Sequence, residues 1–442
     1  MTNQMNRLFL FAVMAGAVGC GDDETLNPTP DAAPPEADAA ADAATDAAPA
    51  CAGQSLRTDL PWRAGVREQL QTWIDSTGCR STGYDGTRKP VALFDWDNTV
   101  IKNDIGDAIT FYLIEHDKVL QPPGQDWGRT SPYMTAAAQA ALTAACGTDV
   151  AAGQPLPTAT DTDCADEILS IYIDGVTRGA AAAFAGWNYR RMEPTYAWTA
   201  QLMAGYTPAE IKGFVEATVT AHLAAPVAGT KVVGTRTVNA YIRIYDQVAD
   251  LIATMQVNGF DVWAISASPQ PVVEVFAARV AVPVDHVIGI RHMLDGNGRY
   301  TYHFQGCGTV ADAEDSMISY IEGKRCWVNK VIYGSSGPTA MERRPLGQRQ
   351  VFGAGDSDTD IEFLRDATYK LALNRNKREL MCFAYHNEGG SWVVNPMFIA
   401  PRAQQSSPYP CDTTGCKSST GVGSPCRDEA GNVIPPQADV AF

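Results

Sequence analysis

Acidic side chains gather at two points of this 442-residue chain, and hydroxyl and lysine side chains stand at two others. Asp95-Trp96-Asp97-Asn98-Thr99 follows the apolar run 90–94, and Gly355-Asp356-Ser357-Asp358-Thr359-Asp360 follows 350–354. Ser266-Ala267-Ser268-Pro269 follows 260–265, and Gly323-Lys324 lies between the last two strings at the start of a helical pattern. Carboxylates of this kind act as nucleophiles, as proton donors and acceptors, and as oxygen ligands for hard cations. Hydroxyls, ammonium groups and helix N-termini hold anions. No single string is specific, because Asp and Ser are also common turn and cap residues. What distinguishes the set is its order and the apolar run before each acid or serine.

The elements that must position these groups can be read from hydrophobic period. Short apolar runs at 90–94, 260–265, 284–290, 350–354 and 369–373 predict buried strands. Helical spacing covers 62–76, 105–118, 237–256, 270–280 and 313–333. Strands alternating with helices predict a parallel sheet covered on both faces, with ligands at the carboxyl ends of the strands. The interval 120–235 is rich in Ala, Trp and Tyr and shows helical patterns near 133–146, 165–176, 195–204 and 208–224. No internal repeat is present.

In this order and setting, the four strings resemble the signature motifs of the haloacid dehalogenase superfamily, over roughly 88–118 and 236–375. The forms DWDNT, SASP, EGK and GDSDTDIEFL are similar to the phosphoserine phosphatase-like branch, and in type to phosphorylcholine phosphatases. The resemblance implies an α/β fold: a Rossmann-like core with a parallel sheet, and a mostly helical cap inserted between the first and second strand motifs. It implies a phosphomonoester hydrolase in which Asp95 is the nucleophile and forms an acyl-phosphate, while Asp97 protonates the leaving oxygen and then deprotonates the attacking water. An acid two places after the nucleophile belongs to the phosphatases and phosphomutases of the superfamily. Asn98 departs from their commonest pattern, where Gly is frequent.

The same resemblance implies Mg²⁺, held by Asp95, the Asp97 backbone carbonyl and Asp356, with Asp360 acting through water or on Lys324. Thr99, Ser266 and Ala267 would bind the phosphoryl group, and Lys324 would fix it and offset the carboxylate charge. Lys330, in VNKVI, is the alternative lysine.

The cap carries Trp187, Asn188, Tyr189, Tyr196 and Trp198 beside Arg190 and Arg191. Aromatic faces suit a quaternary ammonium such as choline, though cap core is the plainer expectation for these residues. The arginines fit either an anionic substrate or a solvated face. Asn103 and Asp104 read as helix-cap residues, and Asp161 as a helix N-cap, because Ala165 breaks a calcium-loop pattern.

The net charge of −16 argues against a nucleic-acid binder, and no apolar run is long enough for repeated membrane spans. Arg7, the apolar stretch 8–18 and Ala17-Val18-Gly19-Cys20 resemble a bacterial lipoprotein leader, with Cys20 carrying the lipid. Residues 21–50 hold eight acids and no basic residue, and read as a disordered tether. Beyond Cys20 ten cysteines remain, which in an exported protein predicts up to five disulfides. Cys51–Cys79, Cys146–Cys164 and Cys307–Cys326 are the near-neighbour pairs; the last four would pair around the C-terminal segment. The expected organisation is therefore leader 1–20, tether 21–50, core 51–118 and 236–400, cap 119–235, and a Cys-rich extension 401–442. The expected protein is an exported, membrane-anchored phosphatase of a small phosphorylated substrate. A phosphotransferase with the same residues, or a non-catalytic binding lipoprotein on this scaffold, are the other readings.

Overall fold

The computed structural model describes residues 51–442. The leader, Cys20 and the tether lie outside the described residues.

Six parallel strands form the central sheet: β1 (Val91–Phe94), β2 (Asp261–Pro269), β3 (Val287–Ile290), β4 (Phe352–Gly355), β5 (Tyr369–Asn374) and β6 (Trp392–Pro396), in the order β6-β5-β4-β1-β2-β3. β1 lies at the centre, with Phe94 level with Ala354 of β4 and Ala264 of β2. Side chains alternate between faces along each strand. Ala92, Phe94, Phe352 and Leu371 join one buried cluster with Leu70 and Ile74 of the helix Val66–Thr77 and with Val248 and Leu251 of Asp246–Val257. Val91, Leu93, Ile265 and Ala372 join the opposite cluster with Trp327 and Val328 of the helix Glu322–Val331 and with Leu364 and Leu380. Burial on both faces is why these runs are apolar throughout rather than alternating.

Between β1 and β2 the chain forms six α-helices, Ile105–Glu115, Ala136–Cys146, Thr162–Asp174, Pro194–Gln201, Pro208–Ala224 and Asp246–Val257, and a hairpin, Thr230–Val233 with Arg236–Asn239. The expected α/β core with a mostly helical insertion is the observed architecture. All ten cysteines of the described residues pair: Cys51–Cys79, Cys146–Cys164, Cys307–Cys326, Cys382–Cys411 and Cys416–Cys426.

Three expectations are corrected. The helix expected over 237–256 begins only at Asp246; residues 236–239 are hairpin strand, and Arg243–Ile244 pairs with Ile101–Lys102. Tyr241 and Ile244 kept helical phase by coincidence. The helix expected over 313–333 is confined to Glu322–Val331, because Asp312 and Asp315 accept backbone N–H groups of Gly306 and Phe304 and fold the preceding stretch as a loop. The strand expected over 284–290 begins at Val287, since Val284–His286 continues from Pro283 as a turn of 3₁₀ helix. β6 and the hairpin His292–Leu294 with Tyr300–Phe304 were not anticipated.

Candidate active site

The parallel order brings every expected string to one edge of the sheet. Asp95 continues β1 and donates its N–H to the Ala354 carbonyl at 2.9 Å. Asp356 follows β4 directly, and Ser266 to Pro269 end β2. Two glycines permit the closeness. A side chain at Gly355 would lie 2.7 Å from the Asp360 Cβ, and one at Gly323 would strike the Ile318 carbonyl. Asn98 has φ 61°, a left-handed conformation that glycine or asparagine tolerates. This accounts for the departure from the usual glycine, and the Asn98 side chain also accepts the Asn103 N–H.

Lys324, in the first turn of Glu322–Val331, is wholly buried. Its Nζ lies 2.6 Å from Asp95 Oδ1 and 2.6 Å from Asp360 Oδ1. Burial works against the ammonium, but Asp360 and Asp95 outweigh it and raise its pKa. Lys330 is elsewhere: its Nζ donates to the Gly306 carbonyl and lies over the Trp327 ring. The alternative lysine is therefore set aside. Asp360 Oδ2 accepts the N–H groups of Asp356 and Ser357 at 3.0 and 2.9 Å, so Asp360 orders the loop as well as Lys324.

Thr99 is also fully buried. Its hydroxyl lies 3.0 Å from Asp95 Oδ2 and 3.2 Å from Asp356 Oδ1, between two carboxylates rather than toward a phosphoryl site. Ser266 is likewise turned inward, 0 % exposed, accepting the Ser268 N–H and donating to Asp97 Oδ2 at 3.3 Å. The hydroxyl that lines the open space on β2 is that of Ser268, next to Ala267, and it donates to Asp97 Oδ2 at 2.7 Å. Asp97 Oδ1 accepts the Ile105 N–H at 2.8 Å. Desolvation, then the negative charge of Asp104, push the Asp97 carboxyl well above the usual range. Desolvation, then Asp360, act the same way on Asp95, against Lys324.

Arg375, one residue beyond β5, was missed. Its Nη1 donates to Asp356 Oδ2 at 2.7 Å. The signal was the rule already used for the other groups, a charged residue at the carboxyl end of a strand. Asp95, Asp356 and Asp360 each bring one carboxylate oxygen within 4.8 Å of the others. Asp97 adds a fourth acid, while Lys324 and Arg375 are the cations in direct contact with this set. An all-oxygen cluster with excess negative charge fits a hard divalent cation.

A cleft of about 530 Å³ opens onto Asp95, Asp97 and Asp356. Its insertion-side wall includes Asp104, Tyr172, Trp187, Tyr189, Glu193 and Tyr196. Trp198 does not reach it: this side chain is buried, and its Nε1 donates to Thr130. Arg190 pairs with Glu362 and Glu379, and Arg191 with Glu322, so both arginines tie the insertion to the core instead of facing a substrate. Asp104 caps Ile105–Glu115, and Asp161 caps Thr162–Asp174. Asn103 donates through its side chain to the Tyr241 carbonyl.

Residues 173–365 match the family model described as haloacid dehalogenase-like hydrolase. Over that span the chain is similar to haloacid dehalogenase-like hydrolases. The matched span contains Ser266, Lys324, Asp356 and Asp360; Asp95 and Asp97 precede it and join it through β1 at the centre of the sheet. Among solved structures, a conserved protein of unknown function from Anaerococcus prevotii DSM 20548 is similar in fold, at 18 % identity and TM-score 0.54, covering 77 % of this chain and 94 % of that one. A protein of unknown function from Bordetella pertussis Tohama I is similar at 17 % identity and TM-score 0.41, covering 70 % and 99 %. A substrate-bound phosphoserine phosphatase is similar at 12 % identity and TM-score 0.30, covering 65 % and 86 %. A search of curated proteins finds no match.

Proposed function

We propose that the protein is a Mg²⁺-dependent phosphatase of small phosphomonoesters, working through a phospho-aspartyl intermediate at Asp95. The observation that carries this reading is the Asp95 carboxylate: it opens onto the cleft, is held by Lys324, and lies beside Asp97 and Asp356. An oxygen of Asp95 attacks phosphorus, the bond from phosphorus to the ester oxygen breaks, and Asp97 gives that oxygen its proton. Asp97 then takes a proton from water, which attacks the phosphorus, releases phosphate and restores the Asp95 carboxylate. Asp97 suits the first role because its raised pKa keeps the proton available. Asp95 and Asp356 would hold Mg²⁺, which when bound neutralises the approach of one anion to another. Lys324 and Asp360 keep Asp95 in place throughout.

The aromatic faces of the cleft wall are of the kind that attracts the choline group of phosphorylcholine, while Lys417, seated on that wall, opposes its charge. The five disulfides support an oxidising compartment, and with the leader and Cys20 they support export and lipid anchoring outside the cytoplasm. The test is release of phosphate from p-nitrophenyl phosphate, expected with Mg²⁺ and abolished in Asp95→Asn. Phosphoryl transfer to added glycerol in excess of hydrolysis would instead indicate a phosphotransferase. No release with any divalent metal would indicate a binding protein.

A further inference from the structure

The segment 401–442 reaches the cleft. Cys416–Lys417 pairs antiparallel with Gly423–Ser424, and the Cys416–Cys426 disulfide closes this small hairpin. The hairpin is seated on both the insertion and the core. The Tyr189 N–H donates to the Ser419 carbonyl at 2.7 Å, and the Lys417 N–H donates to Glu379, the same carboxylate that holds Arg190. Lys417 thereby becomes part of the cleft wall. Its Nζ lies 4.5 Å from the centre of the Tyr189 ring, and no carboxylate among the described residues pairs with it. Tyr189 meets Tyr320 edge-on, and Tyr196 meets the same ring. An ammonium over such an aromatic group occupies the position that a cationic leaving group would seek.

We propose that Lys417 is a specificity-determining residue, which reserves the aromatic wall for itself and biases the cleft against leaving groups that carry positive charge. An aromatic face binds one cation well, and a second cation beside it meets a like charge at short range; Lys417 is exposed, so water screens part of that repulsion. Specificity is then set by repulsion of the wrong ligand as much as by attraction of the right one. Phosphomonoesters of neutral or anionic alcohols avoid this conflict. Glu193 and Asp358, on the same cleft wall, feel the Lys417 charge, but neither forms an ion pair with it. Because the hairpin is pinned by its disulfide and by backbone hydrogen bonds, the lysine is presented from a fixed base.

This inference rests on the phosphatase reading for its meaning, so its first test does not need catalysis. Choline chloride is titrated into the full-length protein, with the tryptophan fluorescence that includes Trp187 as the signal. Lys417→Ala is expected to bind choline about fivefold more tightly than wild type, the scale of one charge contact screened by water, and Lys417→Arg to bind as wild type does. Lys417→Glu should bind more tightly still. The second readout is the ratio of kcat/KM for phosphorylcholine to that for glycerol 1-phosphate, which should rise by the same factor in Lys417→Ala. Equal choline affinity in wild type, Lys417→Ala and Lys417→Glu would overturn the proposal even in an active enzyme. Tighter choline binding with no hydrolysis of any phosphomonoester would uphold it and overturn the phosphatase reading.

Discussion

Replacing Lys324 with methionine keeps the length of the side chain and removes its charge. In the structure Nζ is wholly buried and touches Asp95 and Asp360 at 2.6 Å each. Removing one partner of a buried ion pair costs about 3–5 kcal/mol, because the other charge is left without compensation. For a folded body spanning residues 51–442, an unfolding entropy of about 2.1 cal/mol/K per residue converts that cost to a melting temperature lower by about 4–6 °C. Without Lys324 the two acids face each other, and taking up a proton relieves them. The deficit of Lys324→Met should therefore be larger at pH 8 than at pH 5. Adding Asp360→Asn removes one of the stranded charges, so the double variant should melt above the single one. Thermal unfolding followed by circular dichroism, with EDTA present so that only the chain's own charges count, measures all three. Phosphate release in Mg²⁺ measures the catalytic side and should fall with Lys324→Met. If Lys324→Met melted within about 1 °C of wild type and still released phosphate normally, Lys324 would not be the residue that holds Asp95.

The remaining predictions concern the other acids. Asp97→Asn should lower kcat/KM on an alkyl phosphate by about a hundredfold or more, and by less on p-nitrophenyl phosphate, whose leaving group needs no proton; equal losses of kcat/KM on both substrates would exclude an acid role. Asp104 raises the pKa of Asp97, so Asp104→Asn should lower it and move the alkaline limb of kcat on alkyl phosphates to lower pH; a limb that stays in place removes Asp104 from the network. Desolvation and then Asp104 push Asp107 up to about 7, while the Tyr172 hydroxyl donates to it at 2.7 Å. The folded state thus holds this proton more tightly than the unfolded chain, and stability is lost as pH rises from about 4 toward 7. Asp107→Asn keeps an acceptor for Tyr172 and should melt higher than wild type above pH 7, by at most about 4 kcal/mol, with no gain near pH 4. Asp356→Asn should raise the Mg²⁺ concentration needed for half-maximal activity far more than it raises KM; the opposite pattern would move the metal away from Asp356.

The sheet and its active edge were legible because burial on both faces writes itself into the chain as short apolar runs, each ended by a polar group. Val91–Phe94 followed by Asp95 can hardly be read another way. Helix limits were less legible because apolar spacing does not record which partner buries a side chain. Tyr241 lies in phase with Val248, yet a hairpin and a two-residue strand pair intervene before Asp246. Near-neighbour pairing of cysteines was legible for Cys51–Cys79, Cys146–Cys164 and Cys307–Cys326, since each closes a short stretch of chain.

Side-chain direction was not legible at all. Ser266 and Ser268 both point toward Asp97, and only the structure shows that the first is sealed beneath it while the second borders the cleft. Arg375 and Lys417 were hidden for a different reason: neither belongs to an acid-bearing string, and each reaches the site through topology. A cluster of four carboxylates cannot be stabilised by one lysine, so further positive charge had to come from somewhere in the fold. Arg375 supplies it to Asp356 from β5. Where a motif leaves charge uncompensated, the partner is to be sought at the ends of the neighbouring strands, and the number of cations found there limits how much of the remainder a metal ion must neutralise.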